Sequence, residues 1–421
     1  MDFSIFKRWT ARTTKQRTIV FALLGIIILL AAYLRIDFLQ SVNHKTSHDT
    51  KYYDIMVRQL LEDNIYAYKD TVPNANVTPG YPLVMAAIYK LADYKHNNPF
   101  PYIRYLQVVE SLIMIGLLYL LARRLGGDPA GLIVAAVSAV YPPFVWTVGA
   151  ILTETQAALF FVLYVYLQML VFEKRTWPWA LAAGAALGLT VLTRPEFLIL
   201  IAVSYAFFWA WHKKFLTAFK LGVWTALGLF IVLSPWIVRN VVTLHEVVVA
   251  STQVNPFTAG TYPDKNYEDG LVDRHNKTQM EVAKERLRVG FETKTWTFVK
   301  WYTYGKIPYI YGAMFFGSGH SPIYHVIPYG AVLHLGMVWA AIPAGLFLLW
   351  RWRNPASYLA LLLLILTVTR IAFVPEFRYN FTSMPLIIVM DTLLGLALVG
   401  WVISRTKLRR SIPAAGGAAV Q

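Results

Sequence analysis

Apolar runs of about twenty residues recur along almost the whole chain, each long enough to cross the hydrocarbon of a bilayer as a helix. Buried strands and ordinary core helices are shorter, so this pattern excludes most soluble folds before any single residue is weighed. Within lipid every backbone amide must find its partner inside the protein, which leaves helices as the form such runs take. Composition agrees: 57% of the 421 residues are hydrophobic and 15% are charged, against roughly 45–50% and 25% in ordinary globular chains. The expected fold class is an all-α, polytopic integral membrane protein.

The first run, Ile19 to Leu34, follows Lys7, Arg8, Arg12, Lys15 and Arg17 and lacks a small-residue cleavage site, so it reads as a retained anchor. Later runs begin near Leu106, Ala130, Thr153, Ala180, Glu196, Leu221, Val332, Tyr358 and Pro385. That makes about ten spans. Alternate connections are basic: Arg123–Arg124, Lys174–Arg175, Lys213–Lys214, Arg351 with Arg353, and Arg405, Lys407, Arg409 and Arg410. The positive-inside rule then puts both termini in the cytoplasm and defines a multi-pass protein of the cell membrane. It also explains the net charge of +16. The cations lie between apolar runs and not on one soluble face, which argues against nucleic acid as a partner. The absence of Cys rules out thiolate chemistry and Cys-based metal sites.

One spanning unit over 1–405 and a short cytoplasmic tail over 406–421, Ala- and Gly-rich and read as disordered, are expected. Two long connections fall outside, about 37–105 and about 239–328. Within them Tyr81 to Tyr94 and Val282 to Tyr304 mix aromatics with Lys and Arg, as helices lying on a membrane surface do.

Charges near apolar runs are costly, so their positions are informative. On this topology Asp49, Glu154, Arg194, Arg239, Arg370, Glu376 and Arg378 gather at the outer face, and Glu110 falls inside the second span. Prolines beside Arg194, Arg239 and Arg378 end the spans and aim these side chains at a cavity mouth. Several Arg can hold a phosphate bidentately without titrating. A carboxylate beside them can take a proton from a hydroxyl, and an apolar wall can house a lipid tail. The set suits transfer of a group from a lipid phosphate to an acceptor outside the cytoplasm. There is no Gly-rich phosphate loop, which disfavours a nucleotide-linked donor. A transporter or flippase for a lipid-linked sugar is the alternative. It needs polar residues through the membrane depth.

The run His48-Asp49-Thr50-Lys51-Tyr52-Tyr53-Asp54, followed by Thr78-Pro79-Gly80-Tyr81-Pro82, resembles the first outer loop of polyprenyl-phosphate-dependent glycosyltransferases of the glycosyltransferase-C superfamily. The likeness is to the branch of protein O-mannosyltransferases and lipid A aminoarabinose transferases. Leu152-Thr153-Glu154, Leu192-Thr193-Arg194-Pro195, Pro235-Trp236 with Arg239-Asn240, and Glu376-Phe377-Arg378-Tyr379 with Pro385 resemble further segments of that family, in the same order. Two departures stand out. Thr78 occupies a place where some relatives carry a Lys that meets the donor phosphate, and Thr50 replaces a usual second acid.

The resemblance implies a glycosyltransferase-C-like bundle with surface helices in the first outer loop. It implies an enzyme that moves a sugar from a polyprenyl-phosphate donor to a cell-envelope glycan, lipid or protein. Asp49 falls at the catalytic position, and Arg194, Arg239 and Arg378 become the donor-phosphate ligands. Tyr53, Tyr81, Glu154 and Tyr379 become substrate contacts, with Tyr262 and Trp301 as further surfaces on which a sugar could stack. No cofactor or metal site is expected. His44 and His48 lack a third ligand, and a divalent cation between Asp49 and Glu154 is a weaker alternative because Arg already supplies positive charge. The sequons at Asn76, Asn276 and Asn380 read as chance.

Overall fold

A computed structural model describes residues 13–317 and 330–410, with side chains of the last helix through 405. The basic residues Lys7, Arg8 and Arg12, the end of the second long loop, the side chains of Lys407, Arg409 and Arg410, and the tail expected to be disordered lie outside these described residues. Among the described residues there are helices and no strands.

Helix α1 (Thr14–Ser41) opens on a capping box in which Thr13 accepts from the Gln16 amide and Gln16 reaches back to Thr13. The first loop then forms α2 (His48–Asp63) and α3 (Gly80–Leu91). Helix α4 (Phe100–Val140) runs 41 residues, but Gly127 is non-helical at φ 81° and ψ −176° and divides it in two. The two apolar runs read as starting near Leu106 and Ala130 are therefore its two halves. The bundle continues through α5 (Glu154–Lys174), α6 (Trp177–Thr193), α7 (Leu200–His212) and α8 (Phe215–Leu244). The second loop carries α9 (Gln279–Thr293), and the chain ends through α10 (Gly330–Trp350), α11 (Ser357–Ile371) and α12 (Met384–Arg410). Among the described residues seven helical stretches, α7 counted together with the turn from Pro195 that leads into it, have the length and hydropathy to cross a membrane, and two shorter apolar ones, α6 and α11, stand among them. With α4 divided at Gly127, these match the ten expected runs. The surface helices expected near Tyr81–Tyr94 and Val282–Tyr304 are α3 and α9 with the short turns that follow α9.

Without a hydrophobic force between helices in lipid, close packing depends on small residues. Helices α6 and α8 show this directly. A Cβ on Gly184 would collide with the Thr225 carbonyl oxygen, and one on Gly228 with that of Leu181. A Cβ on Gly80, at the start of α3, would likewise meet the Leu192 carbonyl oxygen, at 2.6 Å. That contact seats the first loop on the end of α6, two residues before Arg194.

Candidate active site

At this end of the bundle a cavity of about 520 Å³ opens, lined by Asp49, Tyr53, Tyr68, Lys69, Arg194, Glu196, Arg370, Glu376, Arg378 and Tyr379 among others. Four of the charged side chains are delivered by element ends. Asp49 lies in the first turn of α2, which Ser47 caps by accepting from the Thr50 amide. There the helix dipole favours a carboxylate. Glu154 is the first residue of α5. Arg194 ends α6 in an extended conformation, φ −145° and ψ 110°, because Pro195 follows. Arg378 begins a four-residue helical turn between α11 and α12.

These ends meet in one network. Arg378 donates through Nη1 to Asp49 Oδ2 at 2.9 Å and through Nε to Glu154 Oε1 at 2.8 Å. Arg194 Nη2 donates to the same Glu154 oxygen at 2.5 Å. Glu154 is fully buried, so the two guanidiniums are what make its charge tolerable. Arg370 Nη2 donates to Glu196 at 3.1 Å, and its other donors reach Thr382 and Ser383. Three carboxylates, Asp49, Glu154 and Glu196, thus face three guanidiniums, Arg194, Arg370 and Arg378. Burial pulls the Arg378 guanidinium down, but Glu154 and Asp49 outweigh it and hold the group firmly protonated. The place between Asp49 and Glu154 considered for a cation is taken by Arg378.

Asp49 keeps partial access to the cavity. Its Oδ1 accepts from the Tyr68 hydroxyl at 3.3 Å, and burial together with this carboxylate pushes that phenol up. Asp54 turns elsewhere, accepting from Tyr89 at 2.5 Å and pairing with Arg58. Tyr53 lines the cavity beside Tyr68, with ring centroids 5.6 Å apart. Tyr379 lies against the Arg194 and Arg370 guanidiniums.

Several expected residues sit differently. Arg239 does not line the cavity: its guanidinium donates to the carbonyls of Tyr66 and Asn74 at 2.9 and 3.0 Å and stacks on Tyr66 and Trp236. It straps the first loop to α8. Tyr81 lies behind the wall, donating to Gln107 at 3.1 Å. Trp301 donates to the Gly260 carbonyl, and Tyr262 packs beneath Arg286, so both are occupied inside the second loop. Glu110 lies buried within α4, where its span reading put it. Asn380 is buried and donates to the Ile310 and Ala313 carbonyls, which removes it as a sequon. His44 precedes α2 and bonds to the Leu39 carbonyl, so it shares no helix with His48.

Tyr68 and Lys69 were not expected. They lie in the irregular segment between α2 and α3, where no periodicity marks them. Lys69 adopts a left-handed backbone, φ 59°, and its ammonium stands 4.4 Å from the Tyr52 ring centroid. Among the described residues it has no carboxylate partner, unlike the three Arg of the cavity.

The turn that carries Arg378 is held from behind. Lys306 Nζ donates to the carbonyls of Ile371 and Phe373 at 2.7 and 3.0 Å, and the Val374 amide donates to the Pro256 carbonyl. Burial pushes the Lys306 ammonium down to about 7. Above pH 7 the unfolded chain still holds this proton, up to about 10.4, while the folded chain has released it. The contribution of Lys306 to stability therefore grows as pH rises through that window. The expected result is that the difference in unfolding temperature between the parent protein and Lys306→Met widens from pH 7 to pH 9.5. An unchanged difference would contradict the assignment.

Residues 76–238 match the family described as dolichyl-phosphate-mannose-protein mannosyltransferase. No curated protein matches the chain. Among solved structures, the archaeal oligosaccharyltransferase AglB from Archaeoglobus fulgidus, in complex with an inhibitory peptide and a dolichol-phosphate, is similar with a TM-score of 0.60 at 15% identity. The match covers 97% of this chain and 53% of that one, so the chain spans about half the length of that protein. ArnT from Cupriavidus metallidurans bound to undecaprenyl phosphate gives a TM-score of 0.51 at 15% identity, over 97% of this chain and 67% of that one. The chain shares the helical fold of these two proteins, with helices long and apolar enough to cross a membrane.

Proposed function

We propose that the protein transfers a sugar from a polyprenyl-phosphate donor to an acceptor hydroxyl on the extracytoplasmic side of the membrane. The observation that carries this reading is the convergence of Asp49, Arg194 and Arg378 on one cavity from three separate parts of the chain. Asp49 takes the proton of the acceptor hydroxyl. The hydroxyl oxygen bonds to the anomeric carbon, and the bond from that carbon to the phosphate oxygen breaks, its electron pair leaving with the lipid phosphate. Positive groups aimed at the phosphate stabilise the charge that develops there. Arg194 and Arg378, which line the cavity, supply them, whereas the donors of Arg239 are taken by loop carbonyls. Tyr53 and Tyr379 line the walls that meet the sugar, and Glu154 aligns the two Arg from beneath.

The direct test is purified protein given a labelled polyprenyl-phosphate sugar and cell-envelope extract. Label should pass to an acceptor. Uptake into sealed vesicles without transfer would instead fit the flippase alternative. Arg378→Lys should lower kcat/KM roughly 10–100-fold, because one ammonium cannot span Asp49 and Glu154 and still face a phosphate. Unchanged kinetics would place the phosphate clamp elsewhere. The orientation has its own check: Asn97→Cys and Asp264→Cys, both at exposed positions, should react with a membrane-impermeant thiol reagent on intact cells. Labelling only after lysis would reverse the topology.

A further inference from the structure

A second cavity, of about 460 Å³, adjoins the first and shares the wall formed by Tyr68, Lys69, Asn76, Gln253 and Asn255. Thr278, Gln279 and Met280, at the start of α9, line its far side. Its floor joins the two outer loops: the Thr252 amide donates to the Ala75 carbonyl at 3.0 Å, and the Ser251 hydroxyl to that of Asn76 at 2.6 Å. Its lining differs in kind from the first cavity. It has no carboxylate and no Arg, and its one cation, Lys69, stands at the shared wall. The other polar side chains are amides and hydroxyls. The carboxamides of Gln253, Asn255 and Gln279 make no side-chain hydrogen bond among the described residues.

We infer that this groove is the acceptor subsite and that it takes a neutral, polyhydroxylated chain, a carbohydrate. The inference rests on the reading of the first cavity as the transfer site. Each sugar hydroxyl both donates and accepts, and a carboxamide is the side chain that answers both. A polyanionic acceptor would require cations along the groove, and the lining offers one. The shared wall leads to Asp49, so a chain held in the groove presents a hydroxyl there. Its proton passes to Asp49 as its oxygen bonds to the anomeric carbon and the phosphate departs.

The test uses the full chain in detergent with three photoreactive probes: a neutral hexasaccharide, a hexauronate of the same length and a Ser/Thr-containing peptide. The neutral hexasaccharide should label the segments 251–255 and 278–280 saturably. Gln253→Ala combined with Gln279→Ala should cut that labelling about fivefold or more. Failure to label these segments, equal labelling of the double variant, or stronger labelling by the hexauronate or the peptide would overturn the inference. A photoreactive polyprenyl phosphate is run in parallel. Its failure to label around Arg194 and Arg378 would sink the donor reading, whatever the outcome in the groove.

Discussion

Replacing Asp49 by Asn is expected to lower turnover by roughly 10²–10⁴ while donor binding changes little. Asn keeps the shape of the side chain and one oxygen to accept from Tyr68 or Arg378, whose present bonds to Asp49 are 3.3 and 2.9 Å. It removes the carboxylate proposed as the base. Asp49 is also the carboxylate of the cluster with most access to the cavity, at 36% side-chain exposure against 16% for Glu196 and none for Glu154. Single-turnover kinetics alongside equilibrium binding of the donor separate the two effects. An Asn variant with near-normal turnover would remove Asp49 from the chemistry. Loss of donor binding together with turnover would make it an organiser of the first loop.

Glu154→Gln should behave in the opposite way. Glu154 is buried and receives both Arg194 and Arg378 on a single oxygen. Loss of its charge leaves two guanidiniums at the edge of the apolar bundle with one carboxylate fewer between them. Breaking a buried pair costs about 3–5 kcal/mol, and the retained amide oxygen places this variant near the lower figure, about 3 kcal/mol. The expected result is a fall in thermal unfolding temperature together with weaker donor binding, since the two Arg lose their alignment. A variant of parental stability with only turnover reduced would show that Glu154 acts on the reacting atoms and not through Arg194 and Arg378.

The contrast between these two acids was partly legible in the sequence. Asp49 follows the first span and Glu154 opens another, so both were visible as charges where charge is costly. The sequence could not show that a single guanidinium 329 residues downstream from Asp49 would join them. Arg194 was legible because Pro195 ends α6, and Arg378 because Pro375 lies in the break between α11 and α12. The same reasoning applied to Arg239 and misplaced it. Pro235 does not end its span: α8 runs through it to Leu244, and the donors of Arg239 face the carbonyls of Tyr66 and Asn74, far earlier in the chain. The ten apolar runs gave the bundle, because hydropathy acts over whole segments. The division of α4 rests on the backbone of one residue, Gly127, and was visible only as a gap between two runs. Tyr68 and Lys69 were hidden for the reverse reason: a segment without helical period gives no face on which to place a side chain.

The pairing of Asp49 with Arg378 also bears on how the protein is made. Chains emerge from the ribosome at about 5–20 residues per second. The 329 residues that separate the partners correspond to roughly 20–60 s of synthesis. For that interval Asp49 must stay hydrated or transiently paired while later spans are inserted, whereas Glu154 meets Arg194 after only 40 residues. Closing the network therefore reports that the turn between the last two spans has reached its place, and a chain arrested before Arg378 would hold most of its helices without the closed network.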